Sequence, residues 1–178
     1  SDAERKVAEL NAHGSPVLEP LARLLLRTES IASSKVEGLS VDARDLARAD
    51  SVNDAGGKVS NTAIEVLGNV AAMQAAMETA ATVDRFQLDD VIHIHRTLLD
   101  RSPNRSIAGV VRAQQNWIGG NDYNPCEADF VPPPHGELAE LLDDVVAAIS
   151  RSDQPPVVQA ALVHAQFETI HPFIDGNG

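Results

Sequence analysis

The chain has 178 residues, 43% hydrophobic, 22% charged and only 3% aromatic, and 26 acidic side chains against 14 Lys and Arg leave a net charge of -12. A nucleic-acid binder needs a basic surface that displaces counterions, and an anionic membrane repels an acidic chain, so neither is expected as a partner. The single cysteine, Cys126, allows no internal disulfide and fits a reducing, cytoplasmic setting.

The opening SDAERKVAEL lacks the apolar core of a signal peptide. No apolar run approaches the roughly 20 residues of a membrane span. Leu18, Leu21, Ala22 and Leu25 recur at helical spacing and predict a first helix ending near Ser30. A second, short helix is expected from Ser33 to Ala49, broken at Gly38. Thr62, with Glu65 three residues on, has the pattern of a capping box and opens a long helix to about Ala81. Leu88, Val91, Ile92, His95, Leu98 and Leu99 mark another.

Residues 109–134 read GVVRAQQNWIGGNDYNPCEADFVPPP. Strand formers, then Gly-Gly-Asn-Asp, then Phe-Val and three prolines predict a hairpin or ordered flap. Leu138, Leu141, Leu142, Val145 and Ile149 form an amphipathic stripe with Glu137, Glu140, Asp143 and Asp144 outside it. Val157 to Phe167 is apolar nearly all round and reads as the central buried helix. Ala, Leu and Val dominate, so the expected class is all-α with one small hairpin.

Some polar residues have structural readings. His164 and Glu168 lie one turn apart, and a structural hydrogen bond is expected between them. His93 and His95 point to different helix faces, so no shared metal site is expected. Cys126 reads as a bystander in a polar loop.

The chain closes on HPFIDGNG, His171 to Gly178. Proline disfavours helical geometry at the residue before it, so His171 sits at a helix end and a loop mouth. Glycines let backbone N–H groups turn towards an anion, an aspartate can hold Mg²⁺, and a histidine can act as a general base near neutral pH. Base, metal ligand and phosphate nest together point to transfer of a phosphorus-containing group. Taken alone, DGNG is commonly a turn, and a histidine after a helix is commonly a cap.

The longer string FETIHPFIDGNG resembles the signature of the Fic family, His-Pro-Phe-x-Asp-Gly-Asn-Gly followed by Arg-x-x-Arg, and each fixed position up to Gly178 matches. RAQQNWIGG followed by FVPPP resembles that family's flap, and SSKVEG resembles its inhibitory motif, here Ser33, Glu37 and Gly38. By motif spacing the resemblance spans roughly residues 20–178. It implies a Fic-type helical bundle, with an N-terminal helical region at 1–60 carrying the inhibitory motif and a Fic core at 61–178. It also implies a protein adenylyltransferase that uses ATP and Mg²⁺ to attach AMP to a Ser, Thr or Tyr hydroxyl of a target protein. Under that resemblance His171 is the base, Asp175 binds Mg²⁺, and Gly176, Asn177 and Gly178 form the anion-binding loop. Phe173 anchors the loop in the core. Trp117, Ile118, Gly119 and Gly120 lie in a flap that holds the target by strand addition; Trp117 itself is expected to pack on the hairpin.

Glu37, with Ser33, would inhibit the same active site from within the chain. Relatives on this scaffold also remove AMP or transfer other phosphate-containing groups, and a catalytically silent module that binds nucleotide or protein is the non-enzymatic alternative. Self-modification and homodimer formation are left open by the resemblance. The family's two arginines are not among the 178 residues, so the expectation is a piece of a longer protein that has little transferase activity alone.

Overall fold

The computed structural model describes residues 2–12, 19–36, 38–121, 123–151 and 153–177. It is all-helical: α1 spans Asp2–Ala12, α2 Glu19–Val36, α3 Ala43–Asp54, α4 Asn61–Thr82, α5 Leu88–Leu99, α6 Leu138–Ile149 and α7 Pro156–Ile170. The periodic stripes predict α5 and α6 closely. The sequence reading gives no expectation for α1.

Helix α2 runs past Ser30 because its serines turn inward instead of breaking it. Ser34 is buried and accepts a hydrogen bond from Asn69 Nδ2 at 2.7 Å, and buried Ser30 bonds to Met73 Sδ. Both partners lie on α4. The helix stops where Gly38 N donates to Lys35 O and Leu39 N donates to Ser34 O, the paired bonds of a Schellman motif. The expected helix from Ser33 to Ala49 is therefore two segments. The second, α3, is capped afresh by Asp42, whose side chain accepts from Asp45 N at 2.7 Å.

The expected capping box at Thr62 and Glu65 is also displaced. Ser60 caps α4, accepting from Ala63 N. The carboxylate that reaches back to an N-cap is Asp90, which accepts from Gln87 N at 2.7 Å at the start of α5.

Helix α4 is the spine, lying against α2, α3 and α5. Its Ala63, Val66, Leu67 and Val70 join Leu46 and Ala49 of α3 in one apolar core. Gly68 lets α5 come close: a Cβ there would lie 2.3 Å from Leu98 O, so only glycine fits. A second core gathers Leu138 and Val145 of α6, Ile170 of α7, and Phe167 and Val111 at its margin.

Two expectations fail. Helix α7 is not buried all round: Val157 is 69% and Leu162 59% exposed, while Ile170 is buried. Among the described residues α6 is the helix packed along it, so one stripe is covered and the rest faces out. The flap is not a regular hairpin. Among the described residues it holds one isolated antiparallel bridge, Ile118 to Phe130, and no strand. Pro125 and Pro132 to Pro134 lack an N–H, so the second arm cannot supply a ladder of donors.

Candidate active site

The end of α7 turns sharply. His171 has φ 47° and ψ 61° and is the one non-glycine residue with positive φ among those described. Such a conformation costs on the order of 1–3 kcal/mol and persists only where its surroundings impose it. Here His171 N donates to Phe167 O at 2.9 Å, and Pro172, with no N–H, ends the helical pattern.

Arg112 imposes the rest. It is buried, and its guanidinium donates to four carbonyls: His171 O at 2.9 Å, Ile170 O at 3.3 Å, Pro133 O at 2.7 Å and Gln114 O at 3.1 Å. Its backbone N adds Pro172 O at 2.9 Å. A fixed cation at a helix C-terminus also faces the negative end of the helix dipole. Burial draws the Arg112 pKa below its ordinary value.

Beyond the turn the loop is tied from inside. Phe173 is 1% exposed and stacks on the His95 ring, with centroids 3.6 Å apart and planes 5° from parallel. His95 is bonded at both nitrogens. Gly109 N donates to Nδ1 at 2.8 Å, so Nε2 carries the proton and donates to Asp175 O at 2.9 Å. Burial lowers the His95 pKa, and the contact with Asp175 opposes that. The Asn177 side chain accepts from Phe173 N at 2.8 Å and donates to Phe173 O at 3.0 Å, closing the loop on itself. Gly176 is confined in its turn. It has φ +73°, and a Cβ would lie 2.8 Å from Leu98 Cδ2.

The outer face is open. Asp175 is exposed, and its carboxylate is held by Asn104 Nδ2 at 2.7 Å and Gly176 N at 2.9 Å. No cluster of three or more His, Cys, Asp or Glu fit for a metal occurs among the described residues. Mg²⁺ usually takes one or two carboxylates and fills its remaining positions with water and substrate phosphate, and an exposed, pre-oriented Asp175 suits that role. The His171 Nδ1 is buried without a hydrogen-bond partner, so Nε2 is the nitrogen left to meet a substrate. Burial lowers the His171 pKa, Glu168 opposes the shift and Arg112 reinforces it. The expected His164–Glu168 bond is absent: His164 is exposed, and Glu168 Oε1 has no partner. The reason lies in α7's packing, which leaves His164 on an uncovered side.

The other predicted positions divide. Ser33 shares a cavity of about 360 Å³ with Gly176, Asn177, His95 and Phe173, so α2 and the closing loop line one space. Glu37 and Gly178 lie outside the described residues. Trp117 packs in the flap, where its indole N–H donates to Asn121 O at 2.7 Å. Ile118 makes the bridge to Phe130, and Gly119 and Gly120 form the turn beside Asp129 and Glu127. Cys126 is exposed and free. His95, Arg112, Asn104 and Asn116, which donates to Phe173 O at 3.2 Å, hold the site and are missed by motif reading. One signal for His95 was available: it lies on the apolar stripe of α5, where an unpaired histidine is costly.

A model described as the Fic/DOC family matches residues 85–178, and one described as the Fic/DOC family N-terminal region matches residues 1–78. The Drosophila willistoni protein named Protein adenylyltransferase Fic is 30% identical over 148 residues, covering 79% of this chain and 28% of that protein. The matches span between 17% and 29% of the curated relatives' own length. Among solved structures, a Fic family protein from Desulfovibrio desulfuricans superposes with a TM-score of 0.67 at 21% identity, over 99% of this chain and 52% of that one. A Fic domain containing signaling protein from Bacteroides thetaiotaomicron does so with a TM-score of 0.70 at 18% identity, over 99% of this chain and 68% of that one. At these identities the likeness is one of fold.

Proposed function

The chain belongs to the Fic/DOC family, and from that membership we propose that the protein is an adenylyltransferase that moves AMP from ATP to a hydroxyl side chain of a target protein. The observation that carries the reading is the division of labour in the closing loop. Its inner groups are bonded, while His171 Nε2 and the Asp175 carboxylate face outward. Curated relatives named as protein adenylyltransferases support the same reaction class.

In this reading His171 Nε2 takes the proton of the target hydroxyl. The hydroxyl oxygen forms a bond to the α-phosphorus, the bond from that phosphorus to the β-phosphate bridging oxygen breaks, and pyrophosphate leaves. Bound at Asp175, Mg²⁺ would neutralise charge on the phosphates; the chain's own part is to aim that carboxylate through Asn104 and Gly176 N. Backbone N–H groups of Gly176, Asn177 and Gly178 would line the phosphates. The Asn177 side chain has a different task, because both its polar atoms hold Phe173. The flap at Trp117 to Gly120 would present the target segment; Ile118 and Phe130 are partly exposed beside the bridge.

Autoinhibition by Glu37 and Ser33 belongs to the same proposal. The shared cavity of Ser33, Gly176 and Asn177 supports it, and Glu37 enters on its motif alone. Incubating the protein with ATP labelled at the α-phosphate and a lysate of its own cell tests the activity. A protein adduct of one AMP on Ser, Thr or Tyr is expected, and it should increase in Glu37→Gly. Label transferred from the γ-phosphate instead would contradict adenylyl transfer.

A further inference from the structure

The flap between Arg112 and His135 carries charge of one sign. Residues 113–134 hold Asp122, Glu127 and Asp129 and no Lys or Arg. Asp122 lies outside the described residues. Glu127 and Asp129 are exposed, and the side chain of neither takes part in an ion pair or hydrogen bond among the described residues. Arg112, at the foot of the flap, is buried and committed to carbonyls. The one bridge orders the faces. Ile118 N donates to Phe130 O at 2.9 Å and Phe130 N donates to Ile118 O at 3.2 Å, so the two residues stand opposite each other with their side chains on one face. Ile118 is 40% and Phe130 39% exposed there. Asp129 precedes Phe130 and so falls to the other face. A Cβ at Gly119 would lie 2.0 Å from Asp129 Oδ2, so that carboxylate sits over the glycine backbone. Trp117 and Gly119 flank Ile118, and pleating turns their backbone groups away from Phe130. These groups have no backbone partner among the described residues. The flap thus has a free edge with one apolar face and one acidic face.

We propose that the flap selects an extended target segment in which an aliphatic residue and a Lys or Arg are neighbours in sequence. Added at the free edge, such a segment alternates its side chains between the two faces. The aliphatic one meets Ile118 and Phe130, and the basic one beside it meets Asp129 and Glu127. An acidic segment meets like charge at the same place, and the chain's net charge of -12 repels it at a distance. The substrate class is a basic, partly aliphatic stretch of a protein that carries the hydroxyl. Exposed carboxylates keep much of their hydration, so they contribute choice among targets more than affinity. That this segment receives AMP rests on the adenylyl-transfer reading; the preference for it does not.

Fluorescently labelled peptides test the preference without any turnover. One peptide has a central serine flanked by Leu-Lys on one side and Val-Lys on the other; a second is identical with Glu in place of each Lys. Anisotropy titrations of the unaltered protein without ATP should show the lysine peptide bound about tenfold or more tighter than the glutamate peptide. Replacing its Leu and Val by Ser should weaken the lysine peptide several-fold. The double variant Glu127→Gln with Asp129→Asn keeps size and removes both charges, and the ratio between the two peptides should shrink to about twofold or less. With ATP present, kcat/KM for AMP transfer should rank the peptides in the same order, through KM rather than kcat. Equal binding of the lysine and glutamate peptides, or binding of neither, overturns the proposal, and this result stands even where the variant fails to fold. An undiminished preference in a folded double variant overturns it as well. If the peptides rank as expected and neither acquires AMP, the flap's preference is supported and the adenylyl-transfer reading fails alone. If both acquire AMP with equal kcat/KM, the reading holds and the proposal fails.

Discussion

The inner wall of the closing loop and its outer edge are built from the same few residues but on opposite terms. On the inner wall most polar groups are matched: His95 is bonded at both nitrogens, Arg112 holds four carbonyls with its side chain, and Asn177 bridges Phe173 N and O, while Asn116 Oδ1 is the buried exception. At the outer edge Asp175 is exposed, and just beneath it His171 Nδ1 and Glu168 Oε1 are buried and left unpaired. The difference teaches where stability and chemistry are kept. Dense bonding makes a rigid wall, and the strained backbone at His171 is held by that wall rather than by its own preference.

The comparison can be broken from inside, and the largest effect on stability is expected at Arg112. Arg112→Met removes the donors to four carbonyls, that of Ile170 buried and the others partly so, and should cost about 3 kcal/mol or more in denaturant unfolding. His95→Phe keeps an aromatic face against Phe173 but strands Gly109 N and Asp175 O, for about 2 kcal/mol. It should also flatten the pH dependence of stability. The folded pKa of His95 is depressed, so the unfolded chain binds the proton more readily. The contribution is present above the unfolded value of about 6.5 and is lost as pH falls below it towards the folded value. Melting temperatures measured from pH 7.5 to 5 should therefore fall in the parent and fall less in His95→Phe. Gly176→Ala meets Leu98 and a positive φ, and should cost about 1–2 kcal/mol. Trp117→Phe loses one flap hydrogen bond and should cost about 1 kcal/mol or less in a melt, because Trp117 belongs to neither core.

The outer edge was legible in the sequence because its residues are contiguous: His171 to Asn177 form one string. The inner wall was not, because it is assembled across the chain. His95 meets Asp175 from 80 residues away and Arg112 meets His171 from 59. Nothing in local periodicity joins such pairs. Helices α5 and α6 were legible from their stripes, since amphipathic spacing is a local property. Helix ends were less so. Ser34 can cap or bury, and only the presence of Asn69 across the interface decides that it buries. The apolar run of α7 predicts burial on every side, but what covers each side depends on neighbours that composition does not specify. The flap has the composition of a hairpin, and its prolines remove the donors a ladder needs.

The most direct test of the division between wall and edge is His171→Asn. Asparagine tolerates the left-handed backbone that His171 adopts and cannot act as the base. AMP transfer and the melting temperature should be measured together on this variant and on the parent protein. The account predicts that transfer falls at least about a hundredfold while ATP binding and melting temperature stay close to the parent's. Retained transfer, or a loss of transfer matched by a collapse in melting temperature and ATP binding, would contradict it.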